Sequence, residues 1–187
     1  DDAVIFIMRY YNKMINLNEV QSFAQGGNRK CFINPDNPQT CLKVMHKDLI
    51  TDIKNQAVWY KKLRVKSSFD DNLREEKAYK QNAISYASSD SIWNHLARWH
   101  GMVETTLGPA SETELIQNNN KIAETLETYL FREGLTREII DSINTFESWL
   151  REYLVLTKNL IPHNIVIKQD KGLMTLKIVD GLGSKSF

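Results

Sequence analysis

The sequence predicts an α+β fold in two lobes, a β-rich N-terminal lobe and a reduced, mainly helical C-terminal lobe. Segments with strand-type patterns dominate residues 17–45 and 102–116, whereas residues 122–157 carry two amphipathic helix patterns followed by a short β pair. The polar run QNNN at residues 117–120 separates these regions. A chain of 187 residues is long enough to bury a core, either as one domain or as two small lobes around a cleft.

We therefore expect an N-lobe over residues 14–116 and a C-lobe over residues 117–187. Residues 1–13 are expected to be an N-terminal extension before Met14, and their apolar run is too short to span a bilayer. The net charge of +1 argues against nucleic acid as a partner, and no stretch predicts a membrane span. A cytoplasmic protein is the expectation, with Cys31 and Cys41 reduced rather than joined in a disulfide.

The individual elements follow from periodicity and from turn residues. Strands are predicted at residues 17–23, 29–33, 40–45, 102–106, 112–116, 165–167 and 176–179. Helices are predicted at residues 49–63, 73–86, 122–132 and 137–157, with a short helix or turn at 92–99. The helix at 137–157 has the clearest apolar stripe, formed by Ile139, Ile140, Ile143, Phe146, Trp149, Leu150, Tyr153 and Leu154.

Three features of the N-lobe are candidates for nucleotide binding. Gly26 and Gly27 lie between two strands, where backbone N–H groups can approach a phosphate, although the pair taken alone fits a bulged hairpin turn better. Lys43 lies in an apolar strand after a hairpin and resembles the kinase lysine that reaches the α- and β-phosphates, the alternative being an exposed lysine on an edge strand. A candidate partner for Lys43 is Glu75 or Glu76 in the helix predicted at residues 73–86, and Glu76 is preferred.

The C-lobe presents an Asn and an Asp in the order that kinases use for two Mg²⁺ ligands. Asn164 precedes an apolar β-type run, and Asp180 follows a second run and enters a glycine turn. Both supply the oxygen ligands that Mg²⁺ prefers, although Asn and Asp are also ordinary turn residues. Five residues before Asn164, where such a loop carries its catalytic Asp, this sequence has Asn159.

Five motifs follow one another along the chain: GGNRKCF at 26–32, NPDNP at 34–38, CLKV at 41–44, HGMVET at 100–105 and DGLG at 180–183. Taken in order, they resemble the PhoP regulatory network protein family, the YrbL-like proteins, which are small bacterial proteins with a protein-kinase-like fold. The resemblance covers about residues 14–185 and implies an ATP- and Mg²⁺-binding cleft. It implies that Gly26 and Gly27 cover the phosphates, that Lys43 binds them and that Glu76 holds Lys43 in place. It also implies that Glu114 and Ile116 lie at the hinge beside the adenine. Asn164 and Asp180 would then bind Mg²⁺.

Two departures from the kinase pattern weigh on catalysis. An amide at Asn159 is not a useful base at neutral pH, and such proton-transfer assistance is worth roughly 10²–10⁴ in rate. The sequence also ends at Phe187, so we expect no activation segment or large helical substrate platform. Two hypotheses follow: a phosphotransferase with weak or unconventional activity toward a small molecule, a saccharide or a protein, and a pseudokinase that acts as a signalling or scaffold module.

Overall fold

A computed structural model of the chain describes residues 14–46, 70–85, 87 and 90–183, and it confirms the α+β class. The described residues divide into two compact units. The first comprises residues 14–46, 70–73 and 100–114, and the second comprises the described residues of 74–99 and 115–183. The chain passes for the last time from the first unit to the second between Glu114 and Leu115. This point is close to residue 117, where the lobe boundary was predicted, and the boundary itself stays a prediction.

The described ranges contain nine strands and four α-helices. In chain order the strands β1 to β9 are Ala24–Gln25, Arg29–Ile33, Thr40–Met45, Trp99–Thr105, Gly108–Glu114, Gln117–Asn118, Lys121–Ile122, Ile165–Asp170 and Leu173–Ile178. The helices α1 to α4 are Asp71–Tyr79, Asn82–Ser85, Leu126–Glu133 and Arg137–Tyr153, and 3₁₀ turns lie at Asp90–Asn94 and Pro162–Asn164. The helix predicted at residues 49–63 lies outside the described residues.

The first unit is built on a five-stranded sheet with the order β1-β2-β3-β5-β4. Strand β3 is the middle strand, and its first five residues are all buried, as the apolar sequence around Lys43 predicts. Leu42 and Val44 of this strand pack in one cluster with Phe32, which comes before the strand in the chain, and with Ala110, which comes after it. The core of the unit consists of Ile15, Leu17, Phe32, Leu42, Val44 and Ala110, with Val20 and Val103 against it.

The strand predicted at residues 17–23 is wrong. The backbone N–H of Asn18 donates to the Asn16 side chain at 3.0 Å, and that of Val20 donates to the Leu17 carbonyl at 3.1 Å, so the chain turns here. Leu17 is nevertheless only 1% exposed. An apolar side chain can therefore be buried from a turn as well as from a strand. The strand that pairs with β2 on this side is the short Ala24–Gln25, which follows the predicted range.

The segment predicted as one helix at residues 73–86 consists of α1 and α2 with a break at residues 80 and 81. Helix α1 begins earlier than predicted, because the Asp70 carboxylate accepts the backbone N–H groups of Asn72 and Leu73 and caps it. The short element predicted at 92–99 is the 3₁₀ turn Asp90–Asn94, and residue 99 already belongs to β4.

The predicted start of the helix at residue 122 is also wrong. Lys121–Ile122 pairs with Gln117–Asn118 across a turn in which Asn119 and Asn120 have φ values of 51° and 61°, a conformation that Asn tolerates. Helix α3 begins only after Thr125, whose side chain accepts the backbone N–H of Thr128 at 3.1 Å.

The second unit packs helix α4 against the β8–β9 hairpin. The buried face of α4 carries Ile139, Ser142, Phe146 and Trp149. Two members of the predicted apolar stripe, Ile140 and Leu154, are instead 43% and 72% exposed. The helix ends at Tyr153 rather than residue 157, because Leu154 takes a left-handed conformation with φ 53°.

His95 is a buried polar residue in the core of the second unit. It is 6% exposed, and its Nδ1 atom lies 2.7 Å from the Leu176 carbonyl oxygen. The ring lies 5.6 Å from Phe146 and 5.4 Å from Trp149, measured between centroids. Burial lowers the pKa of His95 below its ordinary 6.5; the hydrogen bond to Leu176 opposes this, and the charge of Lys177 adds to it.

We expect the free energy of unfolding to fall as the pH drops below about 6.5, because the unfolded chain binds a proton at His95 that the folded protein binds less well. This contribution to stability is fully present above pH 6.5. Urea denaturation at several pH values between about 7.5 and 5 measures it. His95→Asn should be less stable at pH 7.5 and should have a shallower pH dependence, whereas exposed His100→Asn should keep the wild-type slope. An unchanged slope in His95→Asn would contradict the assignment.

Candidate nucleotide and metal site

The second unit contains the three residues that we call the Asp180 group: Asn159, Asn164 and Asp180. Asn164 ends a 3₁₀ turn directly before β8, and Asp180 follows β9. The hairpin register pairs Ile165 with Ile178, and the Val179 N–H donates to the Asn164 carbonyl at 3.0 Å. The two strands therefore bring Asn164 beside the residue that precedes Asp180.

Backbone hydrogen bonds also join the loop before Asn159 to the turn after Asp180. The Gly181 carbonyl accepts the N–H groups of Lys158 and Asn159 at 2.9 and 3.2 Å. The Gly183 N–H donates to the Leu156 carbonyl at 2.8 Å. These bonds do not depend on side chains, so the loop geometry follows from the backbone path.

Gly181 is required at its position for two reasons. Its φ of 85° is one that residues with a Cβ rarely adopt. A Cβ at this position would also collide with the Asn159 carbonyl and lie 3.0 Å from the Asn164 Nδ2 atom. The glycine thus allows both asparagines of the Asp180 group to pack directly against the turn that carries Asp180.

The side chain of Asn164 has a fixed orientation. Its Nδ2 donates to the Asn159 backbone carbonyl at 2.9 Å, which leaves Oδ1 as the oxygen of the amide that can ligate a cation. Asp180 is half-buried, and its Oδ1 accepts the Gly181 N–H at 2.6 Å. One amide oxygen and one carboxylate fit Mg²⁺, which takes few protein ligands and completes its shell with phosphate oxygens and water.

Asn159 contributes to this group through its backbone. Its carbonyl accepts from the Asn164 side chain and from the Ile161 N–H at 3.0 Å, while the residue itself is exposed. A side-chain amide at this exposed position has no proton-accepting capacity comparable to that of a carboxylate. Its catalytic role stays a prediction.

In the first unit, Lys43 lies on the middle strand and is only 5% exposed. The alternative of an exposed lysine on an edge strand is therefore wrong. The sheet register places Lys43 opposite Cys31, and Cys31 opposite Ala24, so these three residues form one row across the sheet. A lysine is seldom this deeply buried unless its charge is compensated.

Gly26 and Gly27 lie in the turn that connects β1 and β2. The Gly26 N–H donates to the Arg29 carbonyl at 2.9 Å, and His46 closes the turn with its N–H on the Asn28 carbonyl at 2.9 Å. Neither glycine has a positive φ, and a Cβ at Gly27 would meet nothing within 4 Å. The turn itself therefore does not explain why both residues are glycines.

The structure places the two candidate glutamates differently. Glu76 forms an ion pair with Lys80, one helical turn away, at 2.6 Å. Glu75 is 6% exposed. The pairing of either residue with Lys43 stays a prediction.

The predicted hinge residues lie where the chain leaves the first unit. Glu114 is half-buried at the end of β5, opposite Thr40. Ile116 is 4% exposed, and its carbonyl accepts the Ala123 N–H at 2.9 Å. Contact of either residue with adenine stays a prediction.

Both cysteines carry thiols, as expected, with Cys31 half-buried and Cys41 buried. Within the described ranges, no three His, Cys, Asp or Glu side chains form a metal-binding group. None of the helices in the described part of the chain is long and apolar enough to cross a membrane.

The family model for the PhoP regulatory network protein YrbL matches residues 15–187. The chain belongs to this family. Among curated relatives, YrbL of Escherichia coli strain K12 is 21% identical over 179 residues, which is 92% of this chain and 75% of the relative. YrbL of Shigella flexneri matches with the same identity and the same coverage.

The α+β class predicted for this YrbL family member is confirmed by its elements, and the kinase-like arrangement of two lobes stays a prediction. Among solved structures, a crystal structure of Rad53 residues 1–466 in complex with AMP-PNP matches with a TM-score of 0.49 and 17% identity. The match covers 86% of this chain and 36% of the Rad53 chain, so the chain spans about a third of that protein.

Sequence reasoning missed two residues that support the candidate groups. Asn72 was not among the predicted site residues, yet it is 2% exposed, and its side chain donates to the carbonyls of Lys43 and Pro109. Gln81 binds the Leu156 backbone: its Oε1 accepts the Leu156 N–H at 2.7 Å, and its Nε2 lies 3.5 Å from the Leu156 oxygen. Neither residue can be recognised from the sequence, because the backbone groups that each one binds lie far from it along the chain.

We expect Gly181→Ala to destabilise the protein more than Gly172→Ala does. The two glycines have nearly the same φ, 85° and 83°, so each alanine should cost about 1–2 kcal/mol from backbone strain. A Cβ at Gly172 meets nothing within 4 Å, whereas one at Gly181 collides with the Asn159 loop and should cost a further ~1–3 kcal/mol. Free energies of unfolding in urea give the comparison, and equal losses would show that the loops are not tightly packed.

Proposed function

We propose that this YrbL family member is a kinase-like protein that binds ATP together with Mg²⁺ and has weak or unconventional phosphotransferase activity. The observation that carries the proposal is the packing of Gly181 against the Asn159 carbonyl and the Asn164 amide. This packing joins the loop that bears Asn164 to the turn that bears Asp180. A pair of unrelated turn residues would not need such close packing.

The donor set of the Asp180 group supports Mg²⁺ as the cation. Asn164 Oδ1 and the Asp180 carboxylate are hard oxygen ligands, and Asn164 is oriented by its bond to Asn159. When bound, Mg²⁺ would neutralise charge on the phosphate oxygens. The residues of this chain would hold the cation and orient it, which is most of what phosphoryl transfer requires of a protein.

Lys43, Gly26 and Gly27 are proposed to contact the phosphates. The ammonium group of Lys43 supplies positive charge from the rigid middle strand of its sheet. Because the turn does not require its glycines, their lack of side chains is explained by close approach of a ligand to the backbone. We further propose that Glu114 and Ile116 meet the adenine through backbone groups.

A second candidate function, that of a pseudokinase acting as a signalling or scaffold module, is favoured by one specific observation. Asn159 is exposed at the position of the catalytic Asp and cannot accept the proton of a substrate hydroxyl. The phosphoryl acceptor is left open between a small molecule, a saccharide and a protein. Membership of the family supports a role in a bacterial PhoP-linked regulatory network.

We expect ATP to stabilise the wild-type protein in a Mg²⁺-dependent manner, because a ligand that binds only the native state raises its stability. At a ligand concentration of 100 Kd the gain is about 2.7 kcal/mol. Thermal melts with ATP, with and without Mg²⁺, measure it. Lys43→Ala should lose most of the stabilisation, and Asp180→Asn should lose the part that depends on Mg²⁺.

Each variant is also melted without ligand, so that loss of folding is recognised separately. Glu19→Ala, which removes an exposed carboxylate of the first unit, is the control and should respond to ATP as wild type does. Absence of any ATP effect on the wild-type protein would overturn nucleotide binding. Stabilisation by ATP without turnover over long incubation would support the pseudokinase.

We expect Asn159→Asp to raise the rate of ATP turnover, by up to about 10² with water as acceptor, since it restores a carboxylate where a base is needed. The fold should tolerate the change because Asn159 makes its hydrogen bonds to Asn164 and Ile161 through its backbone carbonyl. Release of phosphate from ATP is the measurement. A rate equal to wild type, with ATP affinity retained, would argue that the loop position does not face the γ-phosphate.

A further inference from the structure

We propose that the first turn of helix α1 positions the phosphate-binding residues of the first unit, with Asp71 and Asn28 forming a latch on the glycine turn. The proposal rests on the proposed function in one respect: it takes Gly26, Gly27 and Lys43 as the phosphate contacts. It adds three positioning residues, Asp71, Asn72 and Asn28, which are proposed to act by holding these phosphate contacts in place.

Asn72 fixes the helix to the sheet. Its side chain is almost completely buried, and its Nδ2 donates to the Lys43 carbonyl at 3.0 Å and to the Pro109 carbonyl at 3.3 Å. Its Oδ1 accepts from Arg29 Nη1 at 3.2 Å. One amide therefore connects the helix start to β2, β3 and β5. It does so at Lys43 itself.

Asp71, the residue before, reaches the glycine turn. The Asn28 side chain donates to the Asp71 carboxylate at 2.7 Å, and Asn28 directly follows Gly27. The Asn28 carbonyl in turn accepts the His46 N–H, three residues after Lys43. The glycine turn is thus held from the helix on one side and from the end of β3 on the other.

These contacts distinguish a positioning role from simple helix capping. The cap of α1 is supplied by Asp70, which accepts the backbone N–H groups of Asn72 and Leu73. The side chains of Asp71 and Asn72 point elsewhere, to the turn and to the strand that carry the proposed phosphate contacts. Holding a turn in its binding conformation lowers the ordering cost of binding, so the latch should act on affinity for phosphates.

The Asp71–Asn28 bond is the better experimental handle, because it is exposed and the buried Asn72 amide is expected to be needed for folding. Asp71→Ala and Asn28→Ala each remove the bond. The exchanged pair Asn28→Asp with Asp71→Asn restores an amide and a carboxylate in reversed positions. Glu19→Ala again removes one exposed carboxylate from the same unit as a control for charge.

Affinities for Mg-ATP and for adenosine are measured by calorimetry on the full chain. We expect each single variant to bind Mg-ATP roughly tenfold more weakly, as loss of one charge-assisted hydrogen bond predicts. Adenosine affinity should be unchanged, and the exchanged pair should recover most of the ATP affinity. Equal losses for ATP and adenosine, an equal loss in Glu19→Ala, or unchanged ATP affinity would overturn the proposal.

Hydrogen exchange without nucleotide provides the readout that does not depend on the proposed function. The amides of Gly26 and His46 donate within the turn, so they should exchange faster in both single variants than in the wild-type protein, with global stability little changed. If the wild type binds no ATP, the proposed function fails and this measurement still decides whether the latch exists. Unchanged exchange at both amides would overturn it.

Discussion

The register of the β8–β9 hairpin is the constraint on which the second unit depends. Its inward residues, Ile165, Ile167, Leu176 and Ile178, are at most 4% exposed and belong to the largest core cluster. A shift of one residue would turn all four away from that core, so the register is strongly fixed. The same register decides where the two chain ends of the hairpin meet, and those ends carry Asn164 and Asp180.

The Asp180 group is therefore a product of hydrophobic burial. The core holds the strands, the strands bring the loop ends together, and backbone hydrogen bonds to Gly181 and Gly183 fix the remaining loop. Polar side chains enter at the final step, in the bond from Asn164 to the Asn159 carbonyl and in the bond from the Gly181 N–H to the Asp180 carboxylate. The hydrogen bonds that Asn159 makes to Asn164, Ile161 and Gly181 use its backbone, so substitution of its side chain should leave this arrangement of the loops in place.

Much of this could be predicted from the sequence, because the strongest periodic patterns reflect burial. The strands Arg29–Ile33 and Thr40–Met45 have the predicted bounds, and the hairpin with its Asn and Asp was found from apolar runs and a glycine turn. The errors arose where the pattern of apolar residues does not match the backbone conformation. Leu17 is buried from a turn, and Ile122 lies on a strand although its neighbours read as helical.

Side-chain partners were less predictable than elements. Glu76 was preferred over Glu75 on spacing alone, and the sequence did not indicate that Glu76 pairs with Lys80 while Glu75 is buried. Asn72 could not be recognised from the sequence, because an asparagine whose side chain binds three strands cannot be told there from one that caps a helix. Such contacts depend on chain segments that only the folded structure brings together.

Gln81 has a consequence of a different kind. The Leu156 carbonyl already accepts the Gly183 N–H, and the Gln81 side chain supplies the acceptor that the Leu156 N–H needs. With both backbone groups of Leu156 paired inside the molecule, neither is left to hydrogen-bond with a strand of a second chain.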